Sequence, residues 1–186
     1  MALFDTVTEQ LELGPASELA SGTTADSGND QYTVKGTDTS WDQFVRKGDL
    51  IVLNNADSAL IVEVVDATTL KISKPIAQNS VPYRIMRPTE AFLRPHPEWE
   101  WEIHSIVASP RVDAGSDESM ALYPVEVWAT DDNLPRTLLL RSDENGLDRK
   151  DLLIKPTYFN WLLIRNYQPV RVDVYINGID KTIRRE

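Results

Sequence analysis

The residues that could do chemistry are few and poorly spaced for it. His96 and His104 are the only imidazoles. A zinc site wants a histidine pair at fixed spacing with a third ligand. His96 is held between Pro95 and Pro97, eight residues away from His104. Both therefore read as surface histidines. Asp143-Glu144-Asn145-Gly146-Leu147-Asp148 opens like a calcium loop. The twelfth position, where a bidentate glutamate is needed, is Ile154. The stretch reads as a polar turn in which Gly146 takes positive φ. Asp113, Asp117, Glu118, Asp131 and Asp132 could supply a glycosidase carboxylate pair. They lie in Gly/Ser/Asn-rich segments and read as solvated charge. Ser105, His104 and Asp113 form a triad only on paper. There is no glycine-rich phosphate loop and no Gly-x-Ser-x-Gly elbow. Cysteine is absent, which removes disulfides, thiol catalysis and thiolate metal sites. The expectation is a protein with no catalytic residues, no cofactor and no metal.

Large apolar side chains suggest contacts instead. Trp99, Trp101 and Trp161 read as core. Trp41 and Trp128 are candidate partner anchors, because exposed aromatics make interface hot spots. Their alternative use is a sugar-stacking platform in a carbohydrate-binding β-sandwich. Phe44 joins them as an interface candidate. Leu3, Phe4, Val7 and Leu11 fall at helical spacing, so a short helix with one apolar face is expected there. Such a run needs something to pack against. Arg184 and Arg185 complete the interface candidates.

The formal net charge is −10. Such a chain repels a phosphate backbone, and its basic spots are too sparse for a nucleic-acid groove. DNA is expected only as passing cargo, and only where a surface faces a lumen. No apolar run is long enough to span a membrane, and the N-terminus lacks the pattern of a secretory signal. At 186 residues the chain can bury a real core.

The elements that must position these residues read as β throughout. Residues 1–30 are expected as an N-terminal arm, the small polar run 14–30 being loop or extended chain. Such an arm can order on a neighbouring subunit. Residues 31–88 alternate in short segments divided by turns, as in a small barrel or sandwich. Residues 89–97, with Pro95 and Pro97, are a stiff linker. Residues 98–186 form a second, antiparallel β-sandwich. In it, Tyr158 to Ile164 is a central strand covered on both faces. Val170–Ile176 and Ile179–Ile183 form a hairpin about an Asn177-Gly178 type I′ turn. The fold class is all-β, a small β-barrel or sandwich module followed by a β-sandwich, with an extended arm ahead of both.

One segment carries a family likeness. It runs Gly36-Thr37, Trp41, Phe44-Val45, Gly48-Asp49-Leu50-Ile51, Val64-Val65-Asp66-Ala67-Thr68-Thr69-Leu70, Pro75 and Tyr83-Arg84-Ile85. This pattern resembles a β-module of tailed-bacteriophage virion proteins, and covers about a third of the chain. The resemblance implies a fold and a context, with no site residues carried over. It implies a structural virion protein, made in the bacterial host cytoplasm, that binds copies of itself and other phage structural proteins. The expected post is a ring at the head-to-tail neck, as connector, collar or tail terminator. A capsid-decorating, baseplate or fibre-attachment role is the alternative.

Overall fold

The structure is a computed structural model and describes residues 4–28, 30–53, 57–76, 80–97, 99–111, 122–142 and 146–182. Along them run β1 (Phe4–Leu13), β2 (Ser17–Ala25), β3 (Thr33–Gly36), a four-residue helix α1 (Trp41–Phe44), β4 (Leu50–Leu53), β5 (Asp57–Asp66), β6 (Thr69–Ile72) and β7 (Pro82–Arg87). Then follow β8 (Thr89–Leu93), β9 (Trp99–Pro110), β10 (Val125–Thr130), β11 (Thr137–Arg141), β12 (Leu147–Arg149), β13 (Trp161–Asn166) and β14 (Val172–Thr182). The all-β expectation holds.

The chain divides into two units. One is Ala16–Pro88; the other joins Met1–Pro15 to Thr89–Glu186. The first is therefore inserted into the second, between β1 and β8. The expected order of arm, module, linker and sandwich is corrected accordingly. Residues 4–13 are a sandwich strand, and residues 17–25 are a barrel strand. Of the expected linker, residues 89–93 are strand β8, paired along its length with β13.

The inserted unit is a closed six-stranded barrel in the order β2-β3-β6-β5-β4-β7. Sequence alternation finds five of these strands. The sixth, β2, is built from small residues that carry no apolar pattern. It pairs with β7 from Ser17↔Arg87 to Thr23↔Pro82 and with β3 at Thr24↔Gly36. Backbone hydrogen bonding on both sides holds it, so its side chains need not. Inside lie Val34, Ile51, Leu53, Ile61, Leu70 and Ile85. Trp41, carried on α1, is 0% exposed in this core. Its ring meets Tyr83 edge-on at 5.5 Å. Gly36 is required there: a Cβ would lie 2.7 Å from Trp41 Cη2.

Polar clasps close the barrel turns. The Asp49 carboxylate is buried and accepts from Arg46 N at 2.9 Å, Arg87 Nε at 3.1 Å and Arg87 Nη2 at 2.8 Å. Arg87 Nη2 also donates to the carbonyl of Phe44, tying down the end of α1. Thr68 N donates to Asp66 Oδ1 at 2.8 Å, closing the turn between β5 and β6. At the start of β3, Asp30 accepts from Thr33 Oγ1, Lys71 Nζ and Tyr32 N. The Thr33 hydroxyl first, then Lys71, hold its carboxyl down to about 2. The unfolded chain protonates Asp30 near its ordinary value of 3.8. The Asp30 contribution is thus fully present above pH 3.8 and is lost as pH falls through about 2. Asp30→Asn should flatten the acid limb of barrel stability over that window. Thermal unfolding from pH 5 to pH 2 reads it.

The other unit is a sandwich of two four-stranded antiparallel sheets, β1-β14-β9-β12 and β11-β10-β13-β8. Its core takes Leu13 from β1, Ile103 and Ile106 from β9, Val125 and Val127 from β10, Leu162 and Ile164 from β13, and Val174 and Ile176 from β14. Every residue of β13 is buried, as expected of a central strand covered on both faces, but the strand begins at Trp161: Tyr158 and Phe159, expected inside it, lie in a turn with Phe159 exposed.

Two expectations fail here for physical reasons. Residues 4–13 are extended, because the odd positions Leu11 and Leu13 also alternate toward the core and β14 offers ten paired positions. The Asn177-Gly178 hairpin does not form. β14 runs straight through it, flanked by β1 on one side and β9 on the other. The dipeptide sits at a bulge instead, with Asn177↔Ser105 and Gly178↔Ile103 in register, leaving His104 as the extra residue. The bulge resets side-chain parity, so Ile103 and Ile106 both face the core. Gly178 is needed for close approach: a Cβ would overlap the Glu102 carbonyl oxygen. Gly178→Ala should cost about 1–3 kcal/mol by forcing backbone shifts, measured as a lowered urea midpoint.

Candidate interaction surface

The chemistry-bearing residues are spent on one another. His104 Nε2 lies 3.1 Å from Glu102 Oε1, and Lys155 approaches the other Glu102 oxygen at 3.6 Å. Ser105 Oγ accepts from Asn177 Nδ2 at 3.2 Å. Asp131 and Asp132 both pair with Arg136. Gly146 takes φ +90°, the positive value expected of it. Asp113, Asp117, Glu118 and residues 143–145 lie outside the described residues. Among the described residues no three His, Asp or Glu side chains gather as metal ligands.

The interface candidates separate into groups. Leu3, Arg184 and Arg185 lie outside the described residues. Phe4 and Val7 belong to β1, opposite Lys181 and Gly178. Leu11 packs against the sandwich core, so it is corrected from contact surface to core. Trp41 is corrected likewise: a side chain sealed inside the barrel can neither anchor a partner nor stack a sugar. Phe44 remains exposed at the end of α1. Trp128 is half-buried on the outward face of its sheet and donates Nε1 to Glu126 Oε2 at 2.9 Å.

That outward face is patterned by register. Arg141, Glu126, Arg165 and Glu90 stand opposite one another across β11, β10, β13 and β8. Charge alternates along the row. Arg165 Nη2 reaches Glu90 Oε1 at 2.7 Å, and Arg141 Nε lies 3.6 Å from Glu126 Oε1. Glu126 is 0% exposed. Burial pushes its carboxyl up, against the pull of Arg141, the Trp128 N–H and Arg165. The next outward row is apolar: Leu138, Trp128, Leu163 and Phe92. Its two ends, Leu138 and Phe92, are exposed. Sequence reasoning missed both rows. The available signal was Glu126 alternating between Val125 and Val127, with Arg165 closing an apolar strand.

At the end of this sheet Arg94 lies 3.9 Å from the ring centroids of both Tyr158 and Trp161. Its Nε donates to the Tyr158 carbonyl at 2.7 Å. Stacking and this bond fix the guanidinium plane. The Nη edge meets no carboxylate among the described residues. Phe159 stands edge-on to Tyr158 and is 75% exposed. Leu153, six residues earlier, is 68% exposed. These are the two most exposed large apolar side chains described, and they share one connecting segment between β12 and β13. It is stitched to β9 by Leu152 N to His104 O and Ile103 N to Ile154 O, both at 2.8 Å. The segment can present apolar tips and one oriented cation. It brings no nucleophile, acid–base pair or ligand set together. Comparison with known protein families and with curated proteins finds no match for this sequence.

Proposed function

We propose that this chain is a non-enzymatic structural protein of a tailed-phage particle, assembling with copies of itself as a ring at the head-to-tail neck and joining adjacent components. The observation that carries the assembly reading is the segment bearing Leu153 and Phe159. Apolar side chains this exposed, beside a fixed guanidinium, suit a partner surface. The phage context rests on the resemblance of the segment from Gly36 to Ile85. Its motif residues have structural work in the barrel: Gly36 makes room for Trp41, Asp49 clasps Arg87, Asp66 closes a turn, and Tyr83 packs on Trp41. A module used in this way supplies shape and surface, which is what a joining protein needs. The net charge of −10 suits a ring through which DNA passes without adhering.

The test is made on particles. Gradient-purified virions that encode this chain should contain it at a fixed copy number, by mass spectrometry and immunogold labelling at the neck. Without it, filled heads and free tails should accumulate separately. Joined, infectious particles lacking the chain would overturn the reading.

A further inference from the structure

We infer that Arg94 and Phe159 of one copy receive Asp151 and Leu153 of a second copy. The inference rests on the assembly reading and names the contact that would serve it. Arg94 offers an oriented fork with its Nη edge open, the geometry that binds a carboxylate through two parallel hydrogen bonds. Two aromatic rings cover its faces, so an incoming carboxylate meets it edge-on at a site partly shielded from water.

The complementary group is on the same connecting segment. Asp151 is exposed and carries no ion pair or hydrogen bond among the described residues. Its backbone is at φ +58°, the left-handed region that aspartate adopts in turns. Two residues on stands Leu153, the apolar counterpart of Phe159. The molecule thus carries a cation beside an aromatic side chain, and an anion beside an aliphatic one, each without a charge partner among the described residues. A chain with 29 acidic and 19 basic residues has carboxylates to spare, and few cations to receive them. Charge complementarity therefore favours a second copy, whose own Asp151 supplies the carboxylate that Arg94 lacks.

Charge reversal tests this. Wild-type protein should form a defined multimer by sizing with light scattering, weakening as salt is raised. Arg94→Glu and Asp151→Arg should each weaken association at least ~10-fold and run as monomers. Mixing the two should restore the wild-type mass, because the carboxylate introduced at position 94 of one variant then meets the guanidinium introduced at position 151 of the other, while the remaining contact is unchanged. Recovery on mixing also proves both variants folded. Phe159→Ser, at a side chain that is 75% exposed, should weaken association while leaving the melting temperature unchanged at dilutions where both proteins are monomeric. A multimer indifferent to both reversals, or no recovery on mixing, overturns this contact while leaving the virion reading to its own test. A wild-type monomer overturns it too. If that monomer enters particles and Arg94→Glu does not, the occupant is a different protein. Absence of the chain from particles, with recovery on mixing intact, overturns the virion reading alone.

Discussion

Asp49→Ala is expected to destabilise the barrel by about 3–5 kcal/mol, the cost of removing one partner from a buried ion pair. The carboxylate is 1% exposed and accepts from a backbone N–H and from two nitrogens of Arg87. Without it, Arg87 keeps its bond to the Phe44 carbonyl but loses its counter-charge. The turn that starts β4 loses its acceptor at the same time. Hydrogen exchange should therefore report faster opening at the amides of β4 and β7, with the sandwich amides of β13 little changed. Replacing both partners, as Asp49→Leu with Arg87→Met, should recover much of the loss, since an apolar pair leaves no stranded charge. Equal opening in single and double variants would show that the clasp does not act through charge.

Trp41→Ala is the second large effect, at about 3–5 kcal/mol for loss of a buried aromatic side chain and the cavity left behind. The indole fills the barrel against Tyr83 and over Gly36, so its removal exposes a void that glycine cannot collapse into. The urea midpoint should fall steeply. Trp128→Ala, on a half-buried outward position, should cost less and act mainly by freeing the Glu126 carboxylate from its N–H donor.

What could be read from the residues follows the range of the interactions. Turns are local, and the Asp66 to Thr69 turn is written in adjacent residues. An almost wholly apolar run is nearly local, and Tyr158 to Ile164 locates β13 to within a few residues. β2 escaped because small residues such as Ala20 and Ser21 carry no burial pattern; neighbouring backbones define that strand. Asn177-Gly178 misled because the same dipeptide that permits a turn also permits a bulge, and β1, whose Thr8 and Val7 stand opposite it from the other end of the sequence, decides between them. The Arg94 stack was beyond reach for the same reason: Arg94 and Tyr158 are 64 residues apart. The charged row needs four strands in register before its pattern exists at all.

The way the barrel is spliced into the sandwich has a further consequence. Ser17 pairs with Arg87 at the root of the insertion, and on the sandwich side Thr89 Oγ1 donates to the Pro15 carbonyl at 2.8 Å. The two chain crossings are thus neighbours, stapled on both sides. For the sandwich, all of Ala16–Pro88 amounts to one long excursion whose ends meet. Such a cassette can be lengthened, exchanged or shed for a tight turn while β1 and β8 keep their partners, so evolution can revise one unit without renegotiating the other.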